Sequence, residues 1–86
     1  MSLKIELDEK SLESYVFFAA YTVSKRNKQL GTDMFNSYEV FAHLQKEHPN
    51  LLINEGETSV VLEKFVEKKW LSRIHATLCR YIINPI

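Results

Sequence analysis

The sequence predicts an α+β domain that is mainly helical: three successive helices followed by a C-terminal β-hairpin. Two observations lead there. Apolar residues recur at helical spacing in three separate stretches up to Lys69. After Lys69 the period falls to two, in runs rich in β-branched and aromatic residues. A third observation sets the scale. A chain of 86 residues has room for one thin core, so residues 1–86 are read as a single domain.

The elements can be justified in order. Leu3-Lys4-Ile5-Glu6-Leu7 alternates apolar and charged residues, which suits a short N-terminal strand. From Ser11, the residues Leu12, Tyr15, Val16, Ala19, Ala20 and Val23 form one face of a helix. Asp8 or Ser11 can cap its start, and Gly31 can supply its left-handed stop. Lys25, Arg26 and Lys28 read as favourable charges at the negative end of the helix dipole rather than as phosphate contacts. Phe17, Phe18 and Tyr21 lie away from the main apolar stripe. A helix apolar on two sides is covered on two sides, either by the N-terminal strand or C-terminal end of the chain or by a second copy, and the second reading places these three residues at a homodimer interface.

A second helix opens with Asn36-Ser-Tyr-Glu39, a capping box, with Phe35 and Val40 placed as a hydrophobic staple. It must end near His48, because Pro49 disfavours helical geometry in its predecessor. Asn54 and Glu57 repeat the cap pattern for a third helix. Its buried stripe is Thr58, Val61, Leu62, Phe65 and Val66, and its outward stripe is Glu57, Val60, Glu63, Lys64, Glu67 and Lys68. Trp70–Ile74 and Leu78–Ile83 are the hairpin strands, joined by His75-Ala76-Thr77.

Composition excludes several classes. The single cysteine, Cys79, permits no intrachain disulfide and fits a reducing, cytoplasmic setting. No apolar run approaches the roughly 20 residues of a membrane span, and the N-terminus lacks the apolar block of a signal peptide, so no membrane association is expected. Only two glycines are present and no phosphate-cradling loop can be assembled. A zinc site from His43, His48, His75 and Cys79 fails on spacing: a five-residue step turns the two helical histidines about 140° apart. Cys79 reads as a small buried hydrophobe. No catalytic motif is found, so neither an enzyme nor a cofactor or metal site is expected.

The segment Val61-Leu62-Glu-Lys-Phe65-Val66-Glu-Lys-Lys69-Trp70-Leu71-Ser-Arg73-Ile74 resembles the end of the recognition helix and first wing strand of the winged helix-turn-helix superfamily. The resemblance extends in pattern from Leu12 to Ile83 and identifies no narrower family. Lys69 stands where that pattern usually carries glycine, so a lysine must take a left-handed conformation or the turn must differ. The resemblance implies double-stranded DNA as partner, with the third helix in the major groove and the hairpin on the backbone. Glu57, Ser59, Val60, Glu63 and Lys64 would then face bases, with Lys68 beside them. Arg73, His75, Thr77 and Arg80 would serve the wing. A small homodimeric transcriptional or replication regulator is the function implied, of the kind that suits a compact phage or plasmid genome.

Charge distribution bears on that implication. Eleven basic and eleven acidic residues give net zero. Residues 58–86 nevertheless carry five cations and two acids, +3, whereas residues 29–57 carry one cation and five acids, −4. The carboxylates at the start of the third helix oppose phosphate, and only cytosine N4 offers them a good partner in the groove. The alternative expectation is therefore a protein-interaction adaptor using the same helix and wing without DNA.

Overall fold

The computed structural model describes residues 8–75 and 80–85, the side chain of His75 excepted. The expected strand at Leu3–Leu7, the turn residues Ala76 and Thr77, and Cys79 lie outside the described residues.

Helix α1 spans Glu9–Gln29. Asp8 sits before it in extended geometry and its Oδ1 accepts the Ser11 amide at 2.8 Å, satisfying one of the unpaired amides of the first turn. Helix α2 spans Ser37–Glu47, and here the capping box is complete. Asn36 Oδ1 accepts the Glu39 amide at 2.8 Å and Glu39 Oε1 accepts the Asn36 amide at 3.1 Å. Helix α3 spans Glu55–Glu67, with Asn54 Oδ1 accepting the Glu57 amide at 2.8 Å.

Two helices end in the same hydrogen-bond pattern with different residues. After α1, Thr32 N–H donates to Asn27 O and Gly31 N–H to Lys28 O, with Gly31 at φ 107°. After α3, Trp70 N–H donates to Phe65 O and Lys69 N–H to Val66 O, with Lys69 at φ 66°. Both are Schellman caps. Of the two alternatives open at Lys69, the left-handed conformation is the one adopted. The strain is held from the C-terminal side: Asn84 Nδ2 donates to Lys69 O at 2.8 Å and Asn84 N–H to Trp70 O at 2.9 Å.

Strands β1, Leu71–His75, and β2, Arg80–Ile83, pair antiparallel as expected, with Leu71 opposite Ile83 and Arg73 opposite Tyr81. A bulge between Arg73 and His75 puts His75 opposite Arg80. One pairing was not foreseen. Phe35, between α1 and α2, exchanges both backbone hydrogen bonds with Tyr81, at 2.9 and 2.8 Å. Phe35 is fully buried, so it serves the core and the hairpin as well as the start of α2. The resulting order of three helices, a bridge before α2 and a C-terminal hairpin is compatible with a winged helix.

The core lies where the helices and hairpin meet. Val16, Ala20 and Val23 of α1, Val40 and Leu44 of α2, Val61, Leu62 and Phe65 of α3, and Leu71 and Tyr81 of the hairpin are all buried. The connection between α2 and α3 contributes Leu51 and Ile53, while Leu52 between them is exposed, which is the alternation of an extended segment. Tyr15 departs from expectation. It is 38% exposed and sets its ring edge-on to His48, because it lies at the margin of the α1 stripe facing α2. The stripe instead continues through Ser24 and Asn27, both buried. Ser24 Oγ donates to Asp33 O, and Asn27 Nδ2 donates to Met34 O at 3.1 Å and Glu39 Oε2 at 3.0 Å.

Candidate interaction surfaces

The face assigned to nucleic acid comprises α3 and the hairpin, and its side chains diverge. At 100° per residue the buried stripe of Thr58, Val61, Leu62 and Phe65 turns Val60 and Glu67 outward. Val60 is 58% exposed. Lys64 and Lys68 lie on the flank beside the start of α1. Lys64 Nζ pairs with Glu9, and Lys68 Nζ with Glu13 at 3.1 Å. Lys68 also lies over the Trp70 ring, 4.8 Å from its centroid. Donation from Lys64, with the attraction of its charge, holds the Glu9 carboxyl below its ordinary range, and the Glu9 hydrogen bond raises the Lys64 ammonium.

Ser59, half-buried, stands nearer the opposite flank, the side to which Glu63 turns. Glu63 points toward the hairpin rather than outward. One oxygen accepts from Tyr81 Oη at 2.6 Å and the other pairs with Arg73. Tyr81 is 1% exposed, so its hydroxyl needs that acceptor. Glu63 thereby fastens α3 to the hairpin. Arg73 and Tyr81 are cross-strand neighbours, which is how both reach one carboxylate. Strand alternation puts Arg80 on the other face of the hairpin from Tyr81. His75 is the last residue of β1.

The assigned residues thus point in three directions: Lys64 and Lys68 toward α1, Arg73 toward α3, and Arg80 away from both. Over this part of the molecule the cations Lys64, Lys68, Lys69, Arg73 and Arg80 meet the carboxylates Glu9, Glu13, Glu55, Glu57, Glu63 and Glu67, five against six, a net −1. Sequence reasoning missed the Tyr81–Glu63–Arg73 link. A usable signal existed, because Tyr81 shares strand parity with Ile83 and so with the core side of β2.

The aromatic residues assigned to a dimer also separate. Phe17 is half-buried and packs edge-on against Phe65 and Trp70, with ring centroids 5.4 and 5.6 Å away. It sits roughly 110° from the centre of the α1 stripe by the helical period, on the flank that α3 covers. Phe17 thus packs within the monomer while still lining the groove beside Phe18 and Tyr21. Phe18 and Tyr21, farther round, are 71% and 47% exposed. They border a groove of about 1040 Å³ whose other wall holds Trp70, Ile83 and Pro85. A second groove, between α1 and α2, runs along the other side of Phe18 past Tyr15, Thr22 and His48.

Among the described residues, no three His, Cys, Asp or Glu side chains are grouped to hold a metal ion, and no helix is long and apolar enough to cross a membrane. Comparison with protein-family models, with curated proteins and with solved structures finds no match.

Proposed function

We propose that the protein is a non-catalytic interaction module that binds a protein partner through the outer face of α3. The observation that supports this reading is the charge placement on that face. Exposed Val60 has exposed Glu57 one turn before it and exposed Glu67 two turns after it on the same side of α3, while Lys64, Lys68 and Arg73 are paired with Glu9, Glu13 and Glu63. Duplex affinity comes largely from Lys and Arg displacing counterions from phosphate, and an acidic helix face cannot supply that. The same face fits a partner that offers basic side chains around an apolar residue.

A titration followed by amide chemical shifts tests the reading. A basic amphipathic peptide of lysine and leucine should shift Glu57, Val60 and Glu67, and an acidic peptide of the same length should not. Random-sequence duplex DNA at low salt should leave the spectrum unchanged.

A regulator on DNA is the second reading, favoured by Lys69 and Arg80, which form no ion pair among the described residues and lie near the hairpin. Duplex binding that weakens steeply with salt, with a smaller slope after Arg73→Ala or Arg80→Ala, would establish it in place of the first.

A further inference from the structure

We propose that the groove between α1 and the open end of the hairpin seats an acidic amphipathic helix supplied by a partner protein. The proposal goes beyond the reading above, since it concerns a different flank of the molecule from the outer face of α3. Three observations carry it. First, the groove is aromatic and elongated. Phe17, Phe18 and Tyr21 form one wall, and Trp70, Ile83 and Pro85 the other. Along α1 it runs from Lys10 to Tyr21, about 16 Å or three helical turns. A helix can lay one apolar stripe into a groove of that length. Trp70 is held in place there, stacked on Phe65 with ring centroids 5.4 Å apart.

Second, the unanswered charge around the groove is of one sign. Lys10, Lys68 and Lys69 line it against one carboxylate, Glu13, and that carboxylate is paired with Lys68. Lys10 and Lys69 are exposed and form no ion pair among the described residues. At the far end Lys25 Nζ stands over the Tyr21 ring, 5.5 Å from its centroid, and is in no ion pair among those residues either. Cations therefore stand at both ends of the aromatic floor. A partner with carboxylates beside its apolar stripe meets them, and a basic one is repelled. Third, Lys69 holds φ 66°, which glycine adopts without steric cost, so the fold carries a strained cation at the rim of the groove. The rings favour a peptide over single-stranded nucleic acid, whose bases need open ring faces. Lys68 lies over Trp70, Lys25 lies over Tyr21 and Phe17 is half-buried, which leaves Phe18 for stacking.

Trp70 is the single tryptophan of the chain, so its fluorescence reports the groove directly. A helical peptide of glutamate, alanine and leucine, with its leucines on one face, should bind the full chain saturably and move Trp70 emission to shorter wavelength. The same peptide with lysine for glutamate should not. Phe18→Ala should weaken binding about tenfold, the loss of a central apolar contact, with helical circular dichroism intact because the side chain is exposed. Lys69→Gly should weaken binding about threefold while the thermal midpoint rises, so the loss cannot come from unfolding. No saturable change with the acidic peptide, or equal binding by Phe18→Ala, overturns the proposal. So does an oligothymidylate strand that moves Trp70 as strongly as the peptide, which would give the groove to nucleic acid. Light scattering above the mass of one chain, abolished by Phe18→Ala, would give it to a second copy and overturn the proposal as well. Nuclear Overhauser contacts from Leu3 or Ile5 to the Phe18 ring would do the same in favour of the chain's own N-terminal residues. Failure on any of these counts leaves the α3 reading standing, because that reading is scored at Val60 with the basic peptide.

Discussion

The outer sides of α1 and α3 are built on opposite terms. Around α3 three cations are answered within the chain: Lys64 by Glu9, Lys68 by Glu13, Arg73 by Glu63. On α1, Phe17 is met by Phe65 and Trp70 and the Tyr21 ring by Lys25 Nζ, 5.5 Å from its centroid, yet Phe18 and Tyr21 stay exposed among the described residues. The difference shows what charge counting along a sequence leaves out. A positive segment tells where cations are, not which carboxylates the fold brings to them. An aromatic surplus on one helix is harder to cancel, because rings are satisfied only by area, and area is scarce in 86 residues.

The largest expected effect separates the two neighbouring phenylalanines. Phe17→Ala removes a ring that touches Phe65 and Trp70, and should cost about 2–3 kcal/mol in urea unfolding, short of a full core deletion because Phe17 is only half-buried. Phe18→Ala should change the stability of the monomer by less than about 0.5 kcal/mol. Equal losses at both positions would mean that the inner and outer faces of α1 have been wrongly divided.

Lys69→Gly has a smaller effect of opposite sign. The lysine occupies φ 66°, where glycine meets no steric cost, and its ammonium is in no ion pair among the described residues. Relief of left-handed strain, partly offset by the greater freedom of glycine in the unfolded chain, should stabilise by about 0.5–1 kcal/mol. Gly31→Ala, at φ 107° in the same cap pattern after α1, should destabilise instead. Thermal midpoints of the two variants moving in the same direction would refute this account of the caps.

Much of this architecture was legible because it is set locally. The Asn36–Glu39 box, the Asn54 cap and the stop before Pro49 depend on residues a few positions apart, where type and spacing decide the geometry. What escaped is long-range. Nothing near Phe35 announces that its backbone pairs with Tyr81, and nothing near Glu63 announces Arg73, because both links form only when the hairpin folds back on α3. Asn27 is an intermediate case. It follows Val23 by four residues and so continues the buried stripe, but its position within Lys25-Arg26-Asn27-Lys28 disguises a buried hydrogen-bonding residue as part of a charged run. The candidate sites were the least legible for the same reason: the partners of Lys64 and Lys68 come from the other end of the chain.

The smallest expected effect is in the pH response, and it belongs to the charged side alone. Asp8 is held below its ordinary range by the Ser11 amide and then the Ser11 hydroxyl, and Glu9 by Lys64. A carboxylate whose folded value is depressed stabilises the fold above its unfolded value, near pH 4, and loses that contribution as the pH falls through the folded value. Lys64, raised by Glu9, behaves in reverse: its contribution is complete below the ordinary lysine value near 10.4 and fades above it. Between these limits the α1–α3 seam should be insensitive to pH. Below pH 4 the start of α1 should loosen while the buried core holds. The Ser11 amide, 2.8 Å from Asp8 Oδ1, reports this directly, and its chemical shift should titrate with a midpoint under the ordinary aspartate value. A midpoint at or above that value would show that the cap does not form in solution. If the Phe18 ring signals titrated over the same range, acid would be acting on the aromatic face too, and the division between the two sides of the molecule would fail.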